Sequence, residues 1–160
     1  MEDLKNRIQI LEDVEAIKNL RRMYCYWADE AIKNGDPAKM DPLIDRFTDD
    51  FRCDFQSLGI YNGKAASAAF FKEVVIGSLG FSAHMVCNPI IEVNGNNAKG
   101  LWYVFVPCTV SATNTAAWLH ARYNEEYVRE NGRWMWKSIM LNFDFLAPFD
   151  EGWVKTKMMI

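Results

Sequence analysis

Histidine and cysteine are scarce in this chain and are not spaced as metal ligands. The sequence has two histidines, His84 and His120, so a three-histidine zinc site is impossible. No CxxC pair occurs among the four cysteines, which are Cys25, Cys53, Cys87 and Cys108. We interpret the cysteines as small buried hydrophobic residues of a reducing compartment. The sequence therefore predicts neither a metal site nor a disulfide framework.

The chain also lacks a basic stripe and a long apolar run. Eighteen Lys and Arg against twenty-one Asp and Glu give a net charge of -3, which leaves no surplus of positive charge for nucleic acid or an anionic membrane surface. Residues 1–16 are charged from Glu2 onward and are typical of neither a secretory signal nor a membrane span. We expect a cytoplasmic protein with no nucleic-acid or membrane partner.

Neither a glycine-rich phosphate loop nor a GxSxG elbow occurs, which disfavours nucleotide and serine-hydrolase chemistry and predicts a protein without a cofactor. The 160 residues are half apolar, enough for one well-packed core. We predict a single domain over residues 1–160, with a core at 1–145 and a carboxyl-terminal tail at 146–160.

Apolar spacing predicts helices in the first half of the chain. Steps of three and four from Leu4 to about Asn34 indicate a long amphipathic helix. Gly35 closes it, and Asp36-Pro37 opens a short helical segment. A third helix is expected from Lys64 to about Ile76.

The second half of the chain reads as strands separated by hairpin signals. The predicted strands are Phe51–Ser57, Phe81–Val93, Ala98–Val110, Ala116–Glu130 and Arg133–Phe145. Helices followed by an antiparallel meander are typical of an α+β domain. We predict a cone-shaped, curved antiparallel sheet wrapped around the amino-terminal helices.

Aromatic side chains from sheet and helix are available to line the interior of such a cone. Most of them must be ordinary core, because Trp and Phe dominate burial in any fold. The candidates for the lining are Tyr24, Trp27, Phe55, Trp102, Trp118 and Trp134 or Trp136.

His84 and Asp29 are the first candidates for chemistry. A lone histidine on an apolar strand is more often a hydrogen-bonded structural residue than a catalyst. Asp29, however, lies in the last turns of the long helix, where the helix dipole disfavours a negative charge. A carboxylate that orients a histidine and stabilises its protonated form would explain both residues, and we predict that their side chains meet within hydrogen-bond reach.

Tyr24 precedes Asp29 on the same helix by about one and a half turns. Its phenol could donate a hydrogen bond to a substrate oxygen or act as a general acid. The alternative is a tyrosine at the edge of the core, with its hydroxyl at the wet side.

Several landmarks occur in order along the chain: residues 11–20, Tyr24 and Asp29, residues 47–50, residues 61–63, His84 with Asn88-Pro89, residues 100–103, and residues 123–134. Together they resemble the SnoaL-like branch of the nuclear-transport-factor-two-like superfamily, over almost the whole chain up to about Phe145. This fold hosts dehydratases, isomerases, cyclases, dehalogenating lyases and binding modules.

Within that superfamily the chain resembles the bile-acid dehydratases and lindane dehydrochlorinase in the residues that could carry acid/base chemistry. The resemblance implies that His84 and Asp29 form an acid/base dyad, and that Tyr24 matches a tyrosine of the dehydratases. The arginine that those enzymes carry on the final strand is replaced by residues near Phe143. That strand offers Asn142 and Asp144 instead, which argues against a bile acid or a chlorinated cyclohexane as substrate.

These observations favour a cofactor-free lyase or isomerase that acts on a hydrophobic aromatic or polycyclic small molecule. His84 is the predicted base, Asp29 its orienting partner and Tyr24 the donor to the leaving oxygen. The predicted substrate-binding residues are Trp27, Phe55, Trp102, Trp118 and Asn142. Dehydration, ring closure and retro-aldol loss of an aldehyde all use these parts. The alternative is a non-catalytic small-molecule binding or protein-interaction domain of the same fold.

The convex sheet face and the tail give two expectations about assembly. A curved sheet with many apolar residues must have its outer face covered, so we expect a homodimer or homotrimer built on the sheet. In the tail, Phe149, Trp153 and the terminal residues 158–160 are too apolar to extend into solvent. We predict that they close the cavity entrance or pack on a neighbouring copy, the alternative being simple docking on the chain's own helices.

Overall fold

The computed structural model describes residues 2–158, and its chain begins with one long helix. Helix α1 spans Glu2–Asn34. Gly35 ends it with φ +59°, and its N–H donates to the carbonyl of Ile32 at 3.1 Å, as expected of glycine at a helix end. The Asp36 carboxylate then accepts the N–H of Ala38 at 3.0 Å and caps the next turn. The predicted Gly35 stop and Asp36-Pro37 start are confirmed.

The remaining helical segments are short. A 3₁₀ turn at Pro37–Met40 runs into α2 at Asp41–Ile44, and a second 3₁₀ turn occupies Gln56–Leu58. The predicted third helix is a continuous segment made of α3 (Lys64–Ala69), a π-helical stretch (Phe70–Val75) and α4 (Ile76–Ser78). Near the carboxyl end, α5 spans Gly152–Lys155.

Seven strands form one sheet. They are β1 (Phe47–Asp54), β2 (Ile60–Asn62), β3 (Leu79–Ser82), β4 (Met85–Asn94), β5 (Asn97–Val110), β6 (Thr115–Glu130) and β7 (Arg133–Pro148). The order across the sheet is β2-β1-β7-β6-β5-β3, and β4 also pairs with β5. The predicted α+β cone is confirmed, but the sheet is mixed because β1 runs parallel to β7.

The strand predicted at Phe81–Val93 is interrupted. Both β3 and β4 pair with β5, with Ser82 opposite Cys108 and Met85 opposite Phe105. Between them, Ala83 and His84 leave the strand conformation. The cause is a competing acceptor, since the His84 N–H donates to the Asp29 carboxylate at 2.9 Å.

The core lies between α1 and the inner face of the curved sheet. Along β5 alternate residues from Ala98 to Cys108 are buried, as a half-buried strand requires. Gly100 is one of these buried residues. Glycine is needed there because a Cβ would stand 2.9 Å from the indole nitrogen of Trp102 and 3.0 Å from the Tyr127 ring. None of the helices in the described part of the chain is long and apolar enough to cross a membrane.

We predict that Gly100→Ala lowers the free energy of unfolding by about 1–3 kcal/mol, because Trp102 and Tyr127 must shift to admit the methyl group. Urea denaturation measures the change. Gly77→Ala is the matched control, since a Cβ at Gly77 meets nothing within 4 Å. Equal stability of the two variants would contradict this prediction.

Candidate active site

Asp29 and His84 meet, as the sequence predicted. The Oδ1 atom of Asp29 lies 2.6 Å from Nδ1 of His84. Because a carboxylate can only accept, the proton lies on Nδ1 and leaves Nε2 as the basic nitrogen. The contact joins the end of α1 to the interruption between β3 and β4.

The Asp29 carboxylate has two further donors. The Ser82 hydroxyl donates to Oδ1 at 2.6 Å, and the His84 N–H donates to Oδ2. Burial raises the pKa of Asp29, but the hydrogen bonds and charge of His84 and the hydroxyl of Ser82 outweigh it, so the pKa is lowered. Asp29 therefore stays ionised although the end of a helix disfavours its charge.

Tyr24 lies behind His84 in the core. The residue is 3% exposed, and its ring stands edge-on to the imidazole, with the centroids 6.1 Å apart. Burial and the neighbouring Tyr123 phenol raise the pKa of Tyr24 well above its usual value, against the opposing charge of Arg21. Tyr24 therefore holds its proton more strongly than a solvent-exposed phenol does.

A pocket of about 500 Å³ opens beside the dyad between α1 and β4. His84 and Trp102 both line it, together with Cys25. Of the predicted binding residues, Trp102 is thus placed at the pocket. Phe55 belongs to the hydrophobic core instead, where it packs on Phe70 and Phe71, and Trp27 is partly buried against that core.

Two predicted binding residues are on the wrong face of the sheet. Trp118 stacks on Phe105, and its sequence neighbour Ala117 is the residue that enters the core. Asn142 pairs with Arg122 across the outer face, whereas Leu141 is buried. Both predictions were wrong because side chains alternate along a strand, so the neighbours of inward residues face outward.

The tail also packs on the outer face. Phe149 contacts Trp118 with ring centroids 5.3 Å apart, and Trp153 stacks on Phe145 at 4.8 Å. Within residues 146–158 the tail packs on the sheet rather than on the helices and contributes no residue to the lining of the pocket beside His84, so these two expectations were wrong for the described part of the tail. Packing on a neighbouring copy stays a prediction. Met159 and Ile160 lie outside the described residues.

A buried ion pair, which was not predicted from the sequence, lies in the core next to Tyr24. Nη1 of Arg21 lies 3.0 Å from Oε1 of Glu125, with both side chains at most 1% exposed. The guanidinium packs against two aromatic rings, 4.0 Å from the centroid of Tyr24 and 3.7 Å from that of Tyr123. Burial works against the charge of Arg21, but Glu125 more than compensates and raises its pKa.

Glu125 extends this pair into a network across the sheet. Its second carboxylate oxygen accepts the Tyr127 hydroxyl, which in turn accepts the indole N–H of Trp102 at 3.2 Å. Burial raises the pKa of Glu125, while Arg21 and Tyr127 oppose that rise. A signal was present in the sequence, because Tyr123, Glu125 and Tyr127 alternate on one strand and share a face.

The second histidine makes a similar pair elsewhere. On the outer face, Nδ1 of His120 lies 2.9 Å from the Asp144 carboxylate, which also accepts Arg122 at 2.9 Å. Neither His120 nor Asp144 lines the pocket that contains His84. Within residues 2–158, no group of three histidine, cysteine or acidic side chains is placed to hold a metal ion.

We predict that Glu125→Leu lowers the free energy of unfolding by about 3–5 kcal/mol, because Arg21 is then charged and unpaired in the core. The double change Arg21→Met with Glu125→Leu recovers most of that loss by replacing the pair with apolar side chains. Urea denaturation of both proteins measures this. A single variant as stable as the wild type would contradict the prediction.

We predict that Asp29→Asn destabilises the fold at pH 7 and not in acid. A carboxyl whose pKa is lowered on folding stabilises the protein above its unfolded value, near 3.8, and that contribution is lost as pH falls through the folded pKa. Unfolding titrations of variant and wild type from pH 7 to pH 3 should therefore converge in acid. Glu30→Gln is the control, and a difference independent of pH would contradict the prediction.

Comparisons with known proteins agree with this fold. A hexachlorocyclohexane dehydrochlorinase of Novosphingobium barchaimii matches with a TM-score of 0.76 and 19% identity, covering 89% of this chain and 94% of that one. A scytalone-dehydratase-like protein of Novosphingobium aromaticivorans matches with a TM-score of 0.74 and 18% identity, covering 93% and 92%. A comparison with curated protein sequences found no match.

At these identities the likeness to solved structures shows the fold alone. The family model of the SnoaL-like domain matches residues 9–139, which include the dyad, the pocket and the buried ion pair. The chain therefore belongs to the SnoaL-like domain family of the nuclear-transport-factor-two-like superfamily.

Proposed function

We propose that the protein is a lyase that eliminates a small group from a hydrophobic small molecule held in the pocket beside His84. The observation that carries the proposal is the Asp29–His84 pair, 2.6 Å apart at the edge of a pocket. Two solved structures of the same fold are described as a dehydrochlorinase and as a dehydratase, both elimination enzymes, which supports the same reaction class.

In this proposal His84 is the general base. Nε2 takes a proton from a substrate carbon, the electrons of that C–H bond form the double bond, and the bond to the leaving group breaks. The imidazole becomes positive, and the ionised Asp29 carboxylate stabilises it at the Nδ1 side. A base held by an ionised partner needs neither a metal nor a cofactor for this step.

Tyr24 is the proposed hydrogen-bond donor to a leaving oxygen. It is buried and is not among the residues that line the pocket, so the proposal requires that oxygen to pass beside His84 toward the core. A hydroxide leaving group departs more readily when it accepts a hydrogen bond, and a phenol that keeps its proton can donate one. The proton that completes the water molecule is the one that the His84 imidazolium gives back. The support is the contact between the Tyr24 and His84 rings together with the raised pKa of Tyr24. Ring closure and retro-aldol cleavage would use His84 in the same way.

We predict that His84→Gln lowers kcat/KM by about 10²–10⁴-fold on whichever hydroxylated aromatic or steroid-like compound the wild type consumes, because general base catalysis contributes that much. The experiment measures turnover of a panel of such alcohols by mass spectrometry. His120→Gln is the matched control, since His120 has the same kind of carboxylate partner on the outer face.

Undiminished turnover by His84→Gln, or an equal loss in His120→Gln, would overturn the catalytic assignment. If the wild type binds panel members in the pocket and consumes none, the non-catalytic binding domain becomes the better description.

We also propose that copies of the chain associate through the outer sheet face, which carries the tail residues. Phe149 and Trp153 remain 61% and 54% exposed although they stack on the sheet. Such an apolar surface is typical of an interface between subunits. Light scattering at micromolar concentration should give a dimer or trimer, and Trp153→Lys should weaken it. A monodisperse wild-type monomer would contradict the proposal.

A further inference from the structure

The pocket beside His84 has one positively charged wall. Lys18, Arg21 and Arg22 lie on neighbouring turns of α1 and line the same side of the pocket. Of the described residues that line it, none is acidic. The positive wall is a local feature, because the whole chain has a net charge of -3.

The three cations lie at different depths. Arg21 is buried, and its charge is balanced by Glu125. The side chains of Lys18 and Arg22 are 34% and 59% exposed, so these two face the solvent-filled opening. Only these two can reach a ligand without disturbing the core.

One carboxylate outside the pocket is shared by the two exposed cations. Glu15 lies 2.8 Å from Arg22 and 3.8 Å from Lys18, and its own side chain is 59% exposed. Exposed ion pairs of this kind contribute little to stability. A ligand anion can therefore replace Glu15 at low cost.

The opposite wall is apolar. Met85, Val86 and Pro89, all from β4, face the cations across the opening, with Trp102 also lining the pocket. An occupant that fits both walls has an apolar body and an anionic group at one end.

Resting on the function proposed above, we propose that the substrate is a hydrophobic carboxylic acid. Lys18 and Arg22 bind its carboxylate at the mouth of the pocket, and its apolar body lies on β4 beside His84. Because this contact is remote from the bond that breaks, it binds ground state and transition state alike and acts on KM more than on kcat.

The test uses 2-naphthoate and its uncharged isostere 2-naphthamide, with the full-length wild-type protein and calorimetry. At low ionic strength we expect naphthoate to bind roughly tenfold more tightly, because two partly exposed charge pairs each add a modest amount. The preference should shrink in 0.5 M salt, where such charges are screened. Equal affinities, or tighter binding of the amide, would overturn the inference.

The double variant Lys18→Gln, Arg22→Gln locates the effect. It should lose the preference for naphthoate and keep its affinity for naphthamide, with an unchanged melting temperature. Arg7→Gln with Lys33→Gln removes the same charge from exposed positions of α1 outside the pocket, and should keep the preference. A preference that survives in the first variant, or is lost in both, would sink the proposal. If the first variant does not fold, Arg22→Gln alone should lose part of the preference.

The two proposals fail in different ways. If the wild type consumes neutral compounds as readily as acids, the lyase stands and the substrate class proposed here is wrong. If naphthoate binds through Lys18 and Arg22 but His84→Gln leaves turnover intact, the anion site stands and the catalytic assignment of His84 is wrong.

Discussion

The contact between Arg21 and Glu125 is the constraint on which the rest of the site depends. It joins α1 to β6 in the middle of the core, where an unpaired charge of either sign would cost several kcal/mol. The Tyr24 and Tyr123 rings both pack against the guanidinium, so a shift of the helix against the sheet would break these contacts. The rotation and register of α1 are thereby fixed, and with them the positions of Tyr24 and of Asp29 about two turns beyond Arg21.

With α1 in this position, the Asp29–His84 pair forms where the strand between Leu79 and Asn94 is interrupted. A continuous strand from Leu79 to Asn94 would place the His84 N–H in the ladder with β5, where it could not reach α1. The interruption lets that N–H and the Ser82 hydroxyl bind Asp29 instead. The carboxylate thus gains three donors for the loss of local ladder pairing, since hydrogen bonds to an ionised group are stronger than those between neutral groups.

Much of the fold and the dyad could be predicted from sequence, because each rests on a local signal. The glycine and proline signals around Gly35 mark helix ends, and Asp29 stood out because a helix end disfavours its charge. The parallel pairing of β1 with β7 and the interruption at His84 have no local signal, since both depend on partners far along the chain. Trp118 was wrongly predicted to line the pocket. It lies five residues from the inward-facing Tyr123 on the same strand, and side chains an odd number of residues apart point to opposite faces. Arg21 escaped notice because a charged residue beside an apolar helical stripe is ordinarily solvated.

The two histidine–aspartate pairs show why residue type alone does not define a site. Asp144 shares its charge between His120 and an exposed arginine on an outer surface, so its effect on the imidazole is divided and screened by water. Asp29 is half-buried, and its donors all come from Ser82 and His84, so its charge acts on the short segment that carries the imidazole. Of these two pairs, the Asp29–His84 pair is the one that lies beside a pocket with an apolar wall. A base becomes useful where its partner is fixed, its other nitrogen is free and a substrate carbon can lie against it.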